Sequence, residues 1–388
     1  MLPQIGPGRG EAINKERIVK QAVASMVTAK DLQASVADLQ QTHPLPGVVK
    51  TLVCAALTLP FLMLALSAVD WGETILYAAV CGVFLAAWII TTHDAIHTTL
   101  TGWTWFDELV PRLLSWPLLW VHGTYSEIHK IHHKMNGDDF KDPERVQWTA
   151  EEYAQASALS RFYVRFQWFI DIFVYAAIGL IFKTVSQGIR FAPKSKGLRR
   201  QFAYDLCGII VSSAILYGGS KYFFGASYLH TFAVWLVLQW FAGSVLQWRA
   251  HVEHYGLWGK GRHYFETQTY SCRNLRSNKV GHWYFNYLNF HLVHHAFPRV
   301  PFYHLGTAHK RFMALYEQQS GYPWGPAAGL FRCRQNCLEL APPPDCHTVN
   351  RDGRTCQDVR YSKGQSGYPW GRRNGRFRCE SGCLILVH

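Results

Sequence analysis

Charge is scarce in this chain, and acid scarcer than base: 388 residues hold 26 Asp and Glu against 39 Lys and Arg, and only 17% are charged. The resulting formal charge of +13 raises nucleic acid as a partner. Yet no basic helix or tail collects the lysines and arginines, which are spread between long apolar runs. Nucleic acid is therefore excluded, and an anionic membrane surface is the partner that fits. A secretory signal is also missing. Arg9, Lys15, Arg17 and Lys20 lead into a mixed polar stretch, with no short apolar core and no small-residue cleavage site, so the N-terminus is expected to stay cytosolic. Gly6-Pro7-Gly8-Arg9-Gly10 makes no dinucleotide site, because no strand precedes it and the spacing is wrong. The ten cysteines include no CxxC pair of the usual zinc type. Cys54, Cys81, Cys207 and Cys272 are scattered through the body and read as small apolar residues.

Apolar and aromatic residues, at 49% and 15%, are plentiful and come in runs. Thr51 to Val69 and Thr74 to Thr92 are uncharged and close to the roughly 20 residues that cross a bilayer as a helix. The link Asp70-Trp71-Gly72-Glu73 has no Lys or Arg, whereas Lys50 lies on one flank and Lys130, Lys134 and Lys141 on the other, which puts the flanks in the cytosol. Leu206 to Phe224 and Ala226 to Trp248 form a second hairpin of the same orientation. Lys194, Lys196, Arg199 and Arg200 precede it and Arg249 closes it. Phe166 to Phe182, apolar except for Asp171, is a fifth candidate, but parity opposes it. A single crossing there would part His129, His132 and His133 from His251 and His254, and would carry the basic stretch 183–200 outside. That run and Leu109 to Val121 are expected to lie in the interface or against the other helices. The fold class is all-α integral membrane, with four transmembrane helices in two hairpins and a cytosolic histidine-rich cap.

Histidine gathers just past the ends of these runs. His93 and His97 follow the second span at i, i+4, which puts both rings on one helical face where one metal is gripped from one turn. His129-Lys130-Ile131-His132-His133 has i, i+3 and i+4 spacing, and His291-Leu292-Val293-His294-His295 repeats it. His251-Val252-Glu253-His254 ends the last span. Ten of the nineteen histidines fall in these four groups, all on one side of the proposed membrane. A lone histidine is usually a satisfied polar residue; four groups at one depth are not explained that way. Imidazole suits zinc, copper, nickel and iron alike, so ligand type leaves the metal open. Eight to ten nitrogens exceed one tetrahedral zinc and match two ions of higher coordination number. The metal-ligand candidates are His93, His97, His129, His132, His133, His254, His291, His294 and His295. His251, Asp94, Glu253 and Asn289 serve equally as ligands or as groups behind them. Asp94, Glu127, Asp138, Asp142 and Glu253 are placed to hold the distal ring nitrogens, or else to be solvated surface acids.

At these residues the chain resembles the membrane fatty acid desaturase and hydroxylase superfamily, with its three histidine boxes of HxxxH, HxxHH and HxxHH type. The third box, from Asn286-Tyr287-Leu288-Asn289-Phe290-His291 into Phe297-Pro298-Arg299-Val300-Pro301-Phe302-Tyr303, is similar to the family's NxHLxHHxFPxVPxY stretch. Glu253-His254-Tyr255 resembles the extra ligand after the last span. The resemblance covers roughly residues 46–315. It implies two iron ions, molecular oxygen as co-substrate, a lipid or fatty acyl substrate and electrons from a separate carrier of cytochrome b5 or ferredoxin type. It implies no catalytic residue apart from the metal centre. The expected activity is that of an oxygen-dependent fatty acid (acyl-lipid) desaturase introducing a carbon-carbon double bond. The same boxes serve a hydroxylase or ketolase of a lipid or carotenoid, so that outcome stays open. A fused electron donor would carry His-Pro-Gly-Gly, and His43-Pro44-Leu45-Pro46-Gly47 reads as a rigid turn into the first span instead. Lys130, Lys134, Lys141 and Arg145 offer a dock for an acidic carrier, or simply a positive inner face. The expected location is the endoplasmic reticulum in a eukaryote or the inner membrane in a bacterium.

Three segments follow: a cytosolic N-terminal stretch (1–45), the membrane domain (46–315) and a Cys-rich tail (316–388). In the tail, Gln319 to Gly325 with Gly329, Phe331-Arg332-Cys333 and Cys337 recurs 46 residues later as Gln365 to Gly371 with Gly375, Phe377-Arg378-Cys379 and Cys383. Two copies of a unit so poor in apolar residues need staples. A reducing cytosol disfavours disulfides, and CxxxC with His347 leaves a metal open; a loosely ordered regulatory or binding appendage is the expectation.

Overall fold

The computed structural model describes residues 28–320 other than 147, 256, 259, 261 and 262, together with 327–329, 370–373 and 376–379. The chain divides into two compact units, 1–341 and 342–388. In the second, the described residues form an antiparallel pair of strands, Trp370–Arg373 with Arg376–Cys379, in the second copy of the repeat. The cysteines of the tail other than Cys379, and His347, lie outside the described residues.

The first unit is helical. After a short capped helix α1 (Ala29–Ala34) the chain enters α2 (Pro44–Ser67), where Pro44 takes the first helical position and its missing N–H costs nothing. α2 turns back through Asp70, whose carboxylate accepts from the N–H groups of Gly72 and Glu73 and starts α3 (Trp71–Ile96). Two shorter helices follow, α4 (Thr104–Ser115) and α5 (His122–Met135). Beyond them α6 (Ala150–Gln155), α7 (Ala158–Phe169), a π-turn (Ile170–Tyr175) and α8 (Ala176–Phe191) lead to the second long pair, α9 (Lys196–Phe224) and α10 (Tyr228–His254). α11 (Tyr264–Ser271), α12 (Lys279–Tyr284), α13 (His291–Ala296) and α14 (Phe302–Ser320) complete the unit. A parallel contact of Leu275–Arg276 with Ala327–Gly329 is its only strand pairing among the described residues.

Among the described residues, five segments are long and apolar enough to cross a membrane: α2, α3, the α7–α8 stretch (Ala158–Phe191), α9 and α10. α3 and α10 pack on each other at the centre, with α2 against α3. Glycines permit the closest approaches. A Cβ on Gly82 would lie 2.5 Å from the Leu238 carbonyl oxygen, and one on Gly243 would lie 1.8 Å from the Ala177 nitrogen. The outward faces carry exposed apolar side chains such as Leu52, Leu59, Ile210 and Ile215, as lipid contact requires.

The α7–α8 stretch is bent back. Ala176, at φ 45° and ψ −126°, breaks the helix after the π-turn. Gln167 donates to the Val146 carbonyl and Gln187 to that of Pro143. A straight helix would set these glutamines about 30 Å apart, whereas the two carbonyls are at most about 11 Å apart, and the remaining ~19 Å is more than two glutamine side chains bridge. The bend seats against α10, where Gln247 donates to the Ala176 carbonyl, Ser244 to Ile172 and Trp240 to Phe173.

Gly243→Leu drives a side chain into this seat and is expected to lower the unfolding midpoint of the detergent-purified protein by a few degrees, since overpacking costs about 1–3 kcal/mol. Gly218→Ala, inside α9 where an added Cβ meets nothing within 4 Å, does not lower it. Equal midpoints in a thermal-shift series would contradict the described packing.

Candidate metal centre

Four chain segments converge at one end of the bundle. α3 continues past its apolar run, so that His93 rides on its last turn and His97 caps it. α5 carries His129, His132 and His133; α10 ends on His254; α13 carries His291, His294 and His295. The third group is set by a tight turn in which Asn286 and Tyr287 both take positive φ, 50° and 57°. Leu32, Val36 and Leu39, ahead of the first long helix, pack beneath it with Leu292, Val293 and Phe297.

The rings form two groups. One nitrogen from each of His93, His97, His129, His133 and His294 lies within 4.8 Å of all the others, and His132, His254 and His295 form a second set on the same criterion. His291 joins the second through its Nε2, 2.8 Å from that of His254. Each HxxHH run is split between the groups, because neighbouring positions on a helix point about 100° apart: His129 and His133 go one way and His132 the other. His133 and His295 stack face to face across the divide at 4.1 Å.

The donor set fits two metal ions. Nε2 of His129 lies 2.9 Å from that of His93 and 3.0 Å from that of His133. Two nitrogens bound at right angles to one ion at about 2.1 Å stand about 3.0 Å apart. Buried ring nitrogens of His93, His97, His133, His291, His294 and His295 have no hydrogen-bond partner among the described residues. Burial first, and then the neighbouring imidazoles, push His97, His133, His291, His294 and His295 well below the ordinary histidine range, keeping them in the neutral form that binds metal.

Carboxylates hold the far side of two rings. His129 Nδ1–H donates to Glu144 at 2.6 Å, and His132 Nδ1–H donates to both oxygens of Asp142 at 2.9 Å, which turns each Nε2 lone pair inward. Burial alone would raise Glu144, but His129 outweighs it and holds the carboxyl down to about 2. Burial likewise works against charge on His132, yet Asp142 prevails and raises it. His254 Nδ1–H donates to the Ser271 carbonyl at 3.1 Å.

Of the acids named from sequence beside the clusters, Asp142 takes the supporting place. Glu127 and Asp138 do not: they lie on the outer side of the site and pair with Lys130 and Lys260. Asp94 accepts from the Phe302 N–H and so ties α3 to the chain after the third group. Glu253 pairs with Arg249 at 2.7 Å and lies 3.5 Å from His291. Asn289 accepts from His282 and donates to the Leu275 carbonyl, away from both groups. His251 belongs to neither group and donates through Nε2 to Asp171 at 2.9 Å. Glu144 and Asp171 were missed. Asp171 had a signal, as the one acid in an apolar run; Glu144 had none beyond lying fifteen residues after His129.

A cavity of about 870 Å³ opens onto the site, bounded by His93, His129, His132, His254 and His291 on one side and by the bent α7–α8 stretch on the other. Ile89, Ile90, Trp120 and Leu246 are among its apolar lining residues.

The sequence model of the fatty acid desaturase family matches residues 71–326. An endoplasmic reticulum omega-3 fatty acid desaturase of Nicotiana tabacum is 23% identical over 262 residues, covering 62% of this chain and 65% of that protein. Its counterpart from Vigna radiata var. radiata is 24% identical over 267 residues, covering 63% and 66%. The chain thus spans just under two thirds of the length of these relatives.

Asp142→Asn and Glu144→Gln are expected to lower metal retention about 10- to 100-fold, measured as iron content by plasma mass spectrometry after dialysis against graded chelator. Glu127→Gln should match the parent. Retention unaffected by either inner substitution would remove the two carboxylates from the site.

Proposed function

The chain belongs to the fatty acid desaturase family, and on that premise we propose that it is an oxygen-dependent membrane oxidoreductase that introduces a double bond into the acyl chain of a lipid. The observation that carries the reading is the pair of inward-facing imidazole groups forming one wall of an otherwise largely apolar cavity. Two irons, held by His93, His97, His129, His133 and His294 and by His132, His254, His291 and His295, would supply the oxidising power to take hydrogen from an unactivated methylene, with molecular oxygen as co-substrate. The chain's own part is placement. Asp142 and Glu144 fix the tautomer and aim of two rings, and the cavity holds an apolar chain against the histidine wall while limiting water.

Four crossings with a cytosolic histidine cap are the topology we assign. The bend of 158–191 supports it: Gln167 and Gln187 both donate to carbonyls within the short segment 143–146, as a stretch that keeps to one face would. Electrons would come from a separate one-electron carrier protein. Of the cations considered as its dock, Lys130 and Arg145 are already paired with Glu127 and Glu152. The endoplasmic reticulum is the assigned compartment, on the names of the relatives.

Expression in a host lacking the activity, with mass spectrometry of acyl lipids and pigments, tests the reaction. Loss of two hydrogens from an acyl chain is expected; gain of oxygen would make the protein a hydroxylase or ketolase. Topology is tested separately with single cysteines at Ser186 and Gly72. Labelling from opposite sides is expected, and labelling from one side would require a fifth crossing.

A further inference from the structure

The far nitrogens of three rings are accounted for: His129 by Glu144, His132 by Asp142 and His254 by the Ser271 carbonyl. His295, in the second group, meets a different kind of partner. Asn136 ends α5 three residues after His133, is 2% exposed, and carries its side-chain nitrogen Nδ2 3.5 Å from His295 Nδ1. The same nitrogen lies 3.0 Å from Cys272 Sγ, 3.2 Å from Ser271 Oγ and 3.3 Å from Gln268 Oε1. All four neighbours are buried, and they come from α11, from the residue that follows it and from α13.

This node is tied to three of the four rings of the second group. The Asn136 N–H donates to the His132 carbonyl at 2.8 Å. α11 spans the other two: Tyr264, at its start, donates to the His295 carbonyl, and Ser271, at its end, accepts from His254. None of these bonds reaches a ring of the first group.

Nε2 of His295 is buried without a hydrogen-bond partner among the described residues, and is the nitrogen free to bind an ion. A neutral imidazole that offers its Nε2 lone pair carries its hydrogen on Nδ1, and that hydrogen needs an acceptor. Asn136 faces it with an NH2 group, two hydrogens for four neighbours. A half-turn of the amide exchanges its two ends and sets Oδ1 in that place; the Ser271 hydroxyl and the Cys272 thiol, which rotate to suit, then donate to the same oxygen.

We propose that Asn136 is a positioning residue for the second metal ion: its side-chain carbonyl takes the Nδ1–H of His295 and aims the Nε2 lone pair at the centre shared with His132, His254 and His291. This rests on the two-iron reading above and deepens it, because it makes one of the two ions separately removable.

The test counts iron per chain in the iron-loaded full protein in detergent, by plasma mass spectrometry after dialysis against graded chelator. Asn136→Leu, close to Asn in size but without an acceptor, is expected to lose one of two ions at about 10- to 100-fold less chelator than the parent, and the other as the parent does. Asn136→Ala gives the same reading should the bulkier variant not fold. Asn136→Asp, an acceptor at the same place, should keep both. Combined with Asp142→Asn, on the same group, Asn136→Leu still leaves one ion firmly held; combined with Glu144→Gln, on the other group, it leaves none. Parental retention in Asn136→Leu or Asn136→Ala, equal loss of both ions, or loss in Asn136→Asp to the level of Asn136→Leu each overturns the proposal. A parent chain that holds fewer than two ions overturns the two-iron reading and this one with it, whereas the outcomes above leave that reading intact.

Discussion

Buried imidazole is the constraint on which the rest of the first unit depends. Nine rings crowd into two small volumes, seven of them buried, and several of their nitrogens have no hydrogen-bond partner among the described residues. A polar atom buried without a partner costs roughly 1–3 kcal/mol, and here such atoms on His97, His294 and His295 belong to rings that meet in the two groups. Hydrogen bonding among the rings does not resolve it, because a ring whose Nδ1–H is already given to a carboxylate, as in His129 and His132, has only a lone pair to offer inward. Cations at the two centres would resolve it, and the ~3 Å spacing of the facing nitrogens is one that such ions accept.

The surrounding architecture holds those rings at one depth. α3 and α10 run past their apolar lengths, so that each ends in histidine, and the glycines at 82 and 243 let the central helices approach closely. Asp205, wholly buried in α9, accepts from the Thr124 N–H and from Trp116, bringing a carboxylate to the N-terminal turn of α5, which has no side-chain cap of its own. Asp94 and Asn289 act similarly on the third histidine group from either side, by binding backbone. Polar residues flanking the site thus mostly brace the segments that bear the rings.

The bent α7–α8 stretch connects this centre to its cavity. Its composition is that of a membrane span, and its geometry is that of a wall. Asp171 lies where the helix loosens into a π-turn and takes hydrogen bonds from Tyr163 and His251, which binds the wall to the helix that ends in His254. One element therefore bounds both the site and its cavity.

Local pattern alone established a good deal. The apolar runs, their lengths and the positions of histidine just beyond their ends are properties of consecutive residues, and helical periodicity converts them directly into spans and shared ring faces. The similarity to a family of histidine-box enzymes was legible on the same ground. Which ring joins which group was not legible, since His132 parts from His129 and His133 according to how α5 is rotated against α13. Nor was the choice among nearby acids: Glu127, Asp138, Asp142 and Glu144 lie within eighteen residues of one another, and only the fold turns two inward and leaves two with lysines. The bend at Ala176 was not legible either, because an apolar run reads alike whether it is straight or bent. Period and composition act along the chain and survive in the sequence. The partner of a side chain acts across it, and is decided only when helices far apart in sequence are packed together.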